Sequence, residues 1–138
     1  MTERSPIEVT AAVIERDGRY LIARRPEGVH LARLWEFPGG KREGAETLEE
    51  CLAREMEEEL GVTADVGPLW RRVVHAYREK TVALNFFLCR LRAGEPRALH
   101  GTEIAWAAPQ EFERYVFPDA DASVLEAIRA ERPAFARR

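Results

Sequence analysis

The chain has 138 residues, 46% hydrophobic and 33% charged, which is enough for one domain with its own core and too apolar for disorder. A net charge of −3 argues against a general binder of nucleic-acid polymers, whose affinity rests on neutralising many phosphates. The richest apolar run, Val82 to Cys89, is broken by Asn85 and is far too short to span a bilayer, and MTERSPIEVT lacks the apolar segment of an export signal, so a cytoplasmic protein is expected.

Elements follow in chain order. Glu8 to Ile14 and Arg19 to Ala23 alternate as strands, and Asp17-Gly18 between them is a strong hairpin signal. A loop, Pro26 to Gly44, carries Trp35-Glu36-Phe37-Pro38-Gly39-Gly40-Lys41. A helix is predicted from Thr47 to Leu60, opened by a Thr47/Glu50 capping box and closed by Gly61. Val62 to Val66, Leu69 to Tyr77, Thr81 to Arg92 and Ile104 to Trp106 read as strands. Pro109 suits the first position of a short helix, and a last helix covers about Ala120 to Ala130. Strands, loop, helix, strands and helix in that order describe a mixed α/β (α+β) fold, one sheet with helices on its faces, over a single domain of residues 1–138. Cys51 and Cys89 lie within apolar patterns and read as core thiols.

The helix carries more acids than a solvated face needs. Leu48, Leu52, Met56 and Leu60 form an apolar stripe; at about 100° per residue Glu55 and Glu59 border it, and Glu58 lies on its edge. Glu50, Arg54 and Glu57 point the other way. Carboxylates beside a packed face pay desolvation, repel one another at i, i+3 and i+4, and here lie toward the helix end that disfavours them. A divalent cation answers all three objections, and oxygen donors without a His/Cys cluster suit magnesium or manganese rather than zinc. Gly39-Gly40 lets the backbone approach a ligand and offers a carbonyl to the cation, and Arg54 with Glu46 can brace this loop on the helix.

These residues resemble the Nudix family. Gly40, Glu46, Arg54-Glu55-Met56, Glu58-Glu59, Gly61 and Val62 reproduce the Nudix box, and the Trp35–Lys41 run with Arg24-Arg25, His30 and Phe117-Pro118 is similar to the MutT-like branch, with bacterial CTP pyrophosphohydrolases close behind. The resemblance implies an α/β/α sandwich on a mixed sheet. It also implies Mg2+- (or Mn2+-) dependent hydrolysis of a nucleoside triphosphate, such as oxidised 8-oxo-dGTP, to monophosphate and pyrophosphate. The alternatives it leaves are CTP or other pyrimidine nucleotides, nucleotide sugars, dinucleoside polyphosphates, and a non-catalytic nucleotide-binding module that the intact box argues against.

Carried over by position, Glu55, Glu58 and Glu59 ligate metal with the Gly39 carbonyl, one of them activates or orients water, and Arg54 belongs to the same machinery. Arg25, His30, Glu36, Phe37, Lys41, Tyr77 and Asp121 are the implied substrate contacts. Two departures stand out. The loop glutamate that joins the metal site in MutT-like proteins is His100 here, with Glu103 three residues on as a further candidate ligand. The amide that reads guanine is Asp121, which accepts two hydrogen bonds from guanine or one from cytosine when ionised, and mimics an amide only if burial keeps it protonated. The alternative is that Asp121 is part of a helix start, with Asp119 the better cap. The expected partner is a small nucleotide, with no nucleic-acid polymer and no membrane, bound by a monomer or a homodimer.

Overall fold

The computed structural model describes residues 5–29, 31–100 and 103–135. Strands β1 (Ile7–Arg16) and β2 (Arg19–Arg24) form the expected hairpin. Asp17 and Gly18 both take positive φ, 54° and 79°, the geometry that matches a two-residue turn to strand twist. Two short strands, β3 (Trp35–Glu36) and β4 (Gly39–Lys41), interrupt what the sequence presents as one loop. Segments of two and three residues have no periodicity to read, so their pairing partners define them: β3 lies on β2 and β4 on β1.

Helix α1 (Leu48–Leu60) begins and ends as predicted. The Glu50 amide donates to Thr47 Oγ1 at 3.0 Å, the Thr47 amide donates to Glu50 Oε1 at 2.8 Å, and Gly61 closes the helix at φ 68°. The two strands expected between Val62 and Tyr77 are one, β5 (Thr63–Ala76), with register shifts around Val66 to Arg71. Gly67-Pro68 is absorbed there because β5 is the outermost strand of the sheet, where a missing amide donor costs no ladder bond. Strands β6 (Thr81–Ala93) and β7 (Ile104–Ala107) follow. The segment opened by Pro109 is a 3-10 helix, Pro109–Arg114, and the last helix α2 (Ala122–Glu131) starts two residues later than predicted, after a 3-10 turn over Asp119–Asp121.

The sheet runs β3-β2-β1-β6-β5, with β4 added to β1 and β7 to β2. It is mixed, because β1 and β6 are parallel while their other neighbours are antiparallel. Successive side chains on the central strands alternate between two cores. Ala12, Ile14, Leu21 and Phe87 pack with Leu52, Met56 and Leu60 of α1, while Val13, Tyr20, Ile22 and Phe86 pack with Phe112, Val124 and Ile128 on the other face. Helical layers therefore cover both faces, the sandwich that the resemblance implied. Cys51 and Cys89 are buried free thiols. No helix among the described residues is long and apolar enough to cross a membrane.

Candidate active site

The Gly39-Gly40 strap fixes the site. As β4 it pairs with β1, Gly40 opposite Thr10 and Gly39 opposite Ala11. Thr10 Oγ1 donates to the Gly40 carbonyl at 3.1 Å. A Cβ on Gly39 would stand 1.9 Å from the Thr10 carbonyl oxygen, whereas one on Gly40 would meet the Glu55 carboxyl at 2.3 Å. The first clash is with backbone and the second with the end of a side chain. Gly39→Ala is therefore expected to lower stability by several kcal/mol, roughly 3 or more, and Gly40→Ala to fold while pushing Glu55 out of place. Thermal melts of both, alongside hydrolysis rates, check the contrast; equal stability losses would contradict it.

On α1, Arg54 does not point away from the acids as its helical angle suggested. Its guanidinium turns back over them, donating to Glu46 at 2.7 Å, Glu55 at 2.9 Å and Glu58 at 3.2 Å. The expected Arg54–Glu46 brace is present, and it holds the Glu46 carboxyl down to about 2. Glu55 is largely buried at 14% side-chain exposure, while Glu58 is about half exposed. Glu59 is driven up to about 9, chiefly by burial, then by a hydrogen bond with Glu55 and the charges of Glu36 and Glu55. Glu36 is itself raised by burial, with Arg25 opposing at 2.7 Å and Glu55 adding to the rise. Among the described residues no three His, Cys, Asp or Glu side chains converge as a metal-holding group; Glu55 and Glu58 are turned to Arg54. The donor chemistry nonetheless fits a hard divalent cation, since the charges of Glu55 and Glu36 both push the Glu59 carboxyl up and that of Glu55 pushes Glu36 up, a repulsion such an ion relieves.

A cavity of about 400 Å³ opens beside this group. Apolar residues of β1 and β6, including Val9, Val82 and Leu84, line it. Arg25, Glu36, Lys41 and Tyr77 also line it, and Asp121 completes the ring of polar groups. Asp121 is only 6% exposed and burial, followed by the charge of Glu36, lifts its carboxyl to about 7. It makes no side-chain cap hydrogen bond to α2, and it raises the Tyr77 phenol electrostatically after burial has done so. Phe37 touches the cavity, but its ring is 4% exposed and packs on Phe86, Phe112 and Phe117, so its main place is the core. His30 lies outside the described residues. Lys80, which no motif marks, also faces the cavity from the turn before β6, and Leu31 does so from a backbone at φ 56°, a conformation costly for a leucine. Lys80 lies in the turn between β5 and β6, and no local motif marks its place at the cavity.

A second, smaller cavity of about 200 Å³ lies between the acids and the segment before β7. Glu36, Gly39, Glu59, His100 and Glu103 share it. Glu103 is engaged by Arg24, whose Nη1 donates to it at 2.9 Å.

Comparison with known proteins agrees with this architecture. The family model described as NUDIX domain matches residues 9–127. The chain is 41% identical to the CTP pyrophosphohydrolase of Escherichia coli K12, over 93% of this chain and 97% of that one. It is 33% identical to the 8-oxo-dGTP diphosphatase of Haemophilus influenzae, over 94% and 96%. The crystal structure of a MutT protein from Methanosarcina mazei superposes with a TM-score of 0.82 at 26% identity, covering 96% and 99% of the two chains.

Proposed function

Because the chain belongs to the NUDIX family of hydrolases, we propose that it hydrolyses a nucleoside triphosphate to nucleoside monophosphate and pyrophosphate with magnesium. The observation that carries this reading is that Glu36, electrostatically coupled to Glu55 and Glu59 of the Nudix helix, lines a cavity of about 400 Å³ together with the buried Asp121, to which it is also coupled. One end has the donors for a divalent cation and the other a buried carboxyl suited to a base edge. Residues 1–138 act as one domain, and a cytoplasmic location fits a substrate drawn from the nucleotide pool.

Glu55, Glu58 and Glu59, with the Gly39 carbonyl, would hold the cation, which supplies charge neutralisation and Lewis acidity for phosphoryl transfer. The protein's own side chains do the rest. Arg54 keeps the three glutamates and the strap in register. Arg25, pinned by Glu36, and Lys41 face the cavity where phosphates enter. Glu55 or Glu58 takes the proton of the attacking water. Asp121 receives the base.

Either guanine, plain or oxidised, or cytosine satisfies Asp121. Cytosine is a second reading, since an ionised Asp121, which makes no side-chain cap hydrogen bond to α2, can accept from its exocyclic amine. A panel of ribo- and deoxynucleoside triphosphates, 8-oxo-dGTP, nucleotide sugars and dinucleoside polyphosphates, scored separately for pyrophosphate and phosphate, decides. Pyrophosphate from guanine or cytosine triphosphates is expected. Turnover confined to nucleotide sugars or dinucleoside polyphosphates would overturn the substrate assignment.

A further inference from the structure

Two buried side chains from different elements, Thr10 of β1 and Cys51 of α1, meet at one carbonyl oxygen of the Gly39-Gly40 strap. The Thr10 hydroxyl donates to the Gly40 carbonyl at 3.1 Å, and the Cys51 thiol donates to it at 3.6 Å. Thr10 Oγ1 and Cys51 Sγ are 3.5 Å apart, so hydroxyl, thiol and carbonyl close a triangle. A carbonyl oxygen has two lone pairs, enough for both donors. Arg54 adds a further tie, its Nη2 donating to the Cys51 sulfur at 3.8 Å and to the Lys41 carbonyl at 3.4 Å. Packing alone needs neither polar group. Ala12 and Leu52, the next residues toward that core, are apolar, and a buried hydroxyl costs free energy unless it is bonded.

The Ala12 amide donates to the Pro38 carbonyl at 2.7 Å, so the carbonyls on either side of Gly39, those of Pro38 and Gly40, both face β1. Directions alternate along an antiparallel strand, and the Gly39 carbonyl between them faces out of the ladder. Gly39 lines the cavity that also holds Glu36 and Glu59. Gly40 lies against Glu55, whose carboxyl an added Cβ would meet at 2.3 Å. Whatever fixes the Gly40 carbonyl therefore sets the direction of the Gly39 carbonyl and the seat of the Glu55 side chain together.

We propose that Thr10 and Cys51 are paired positioning residues: by clamping the Gly40 carbonyl to β1 and α1, they hold the Gly39 carbonyl and Glu55 in the arrangement that receives the cation. This rests on the hydrolase reading for the role of the cation, whereas the clamp itself belongs to the metal-free fold. Both donors serve one oxygen, so either alone keeps the strap down. Loss of both releases it.

The test compares the intact wild type with Thr10→Val, Cys51→Ala and the double variant, and with Thr10→Ser combined with Cys51→Ala, which keeps one hydroxyl. Thermal melts confirm folding. Two readouts need no turnover: amide exchange by NMR in chelator at Ala12 and Arg42, whose amides tie the strap to β1, and manganese affinity by calorimetry. In the double variant these two amides should exchange about tenfold faster relative to Met56 in α1, and manganese should bind about tenfold more weakly. Nucleotide hydrolysis with magnesium should lose about tenfold in kcat with KM within about threefold. Each single variant should shift by about twofold or less, so that the double exceeds their product. The Thr10→Ser combination should behave like Cys51→Ala alone. Strap exchange or manganese affinity at wild-type values in the double variant, effects that merely multiply, or exchange that rises equally at Met56 would each overturn the proposal. Wild-type turnover beside an unchanged double variant refutes the clamp alone. A wild type that neither binds manganese nor hydrolyses any nucleotide refutes the hydrolase reading, and with it the purpose given to the clamp.

Discussion

Glu58→Gln and Glu59→Gln should each reduce kcat by roughly a hundredfold or more, because either change removes a full negative charge where the cation stabilises the transition state. Their effects on the folded protein without metal should differ. Glu58 is half exposed and paired with Arg54, so its replacement shifts stability little. Glu59 is buried against Glu55 and Glu36, and its amide relieves a repulsion, so the melting temperature in chelator should rise. Steady-state rates with magnesium and melts in chelator measure both effects. Activity that survives both substitutions would remove these residues from the site, and full wild-type activity in excess chelator would remove the metal.

Asp121→Asn should change base selectivity by orders of magnitude, since a mismatched hydrogen bond in a buried pocket is expensive. The carboxyl titrates at about 7, so its role changes within the working range. Above that pH it only accepts, which suits the two adjacent hydrogens of guanine, whereas adenine offers one amine beside an acceptor; below it, one donor and one acceptor are available. The ratio of guanine to adenine turnover should therefore rise from pH 6 to pH 8 in the wild type and stay flat in Asp121→Asn.

Stability follows the same titration. The folded value is raised from 3.8, so the proton bound by the fold stabilises it fully below pH 3.8 and this contribution is lost as pH rises through about 7. Above that the fold carries the whole cost of a buried charge, at most about 4 kcal/mol. Asp121→Asn should melt higher than wild type at pH 8, with the gap closing toward pH 4. A ranking of guanine, cytosine and adenine nucleotides that Asp121→Asn and Asp121→Ala leave unchanged would make Asp121 a helix-start residue only.

The elements that were legible in the sequence are those with local signals. Thr47, Glu50 and Gly61 define α1 because capping is a contact between near neighbours, and Asp17-Gly18 defines the hairpin for the same reason. The acids of α1 were legible because the helical period sets them beside Leu48 and Leu52. What escaped depends on contacts distant in sequence. Strands β3 and β4 exist only through pairing with β2 and β1. Arg54 is the exception: its brace to Glu46 was legible, but its bonds to Glu55 and Glu58 run against its helical angle. Asp121 is 6% exposed in the 3-10 turn before α2, a burial that no local pattern announces.

Hydrolysis of a nucleoside triphosphate in oxygen-18 water, with the label located by mass spectrometry, tests the account most directly. Gly39 lines both the cavity shared with Glu59 and the cavity that holds Asp121, so under the proposed reading the inner phosphates would lie at the acids. The expected products are nucleoside monophosphate and pyrophosphate, with the label in one of these two. Label found only in inorganic monophosphate, with nucleoside diphosphate as its co-product, would contradict the account.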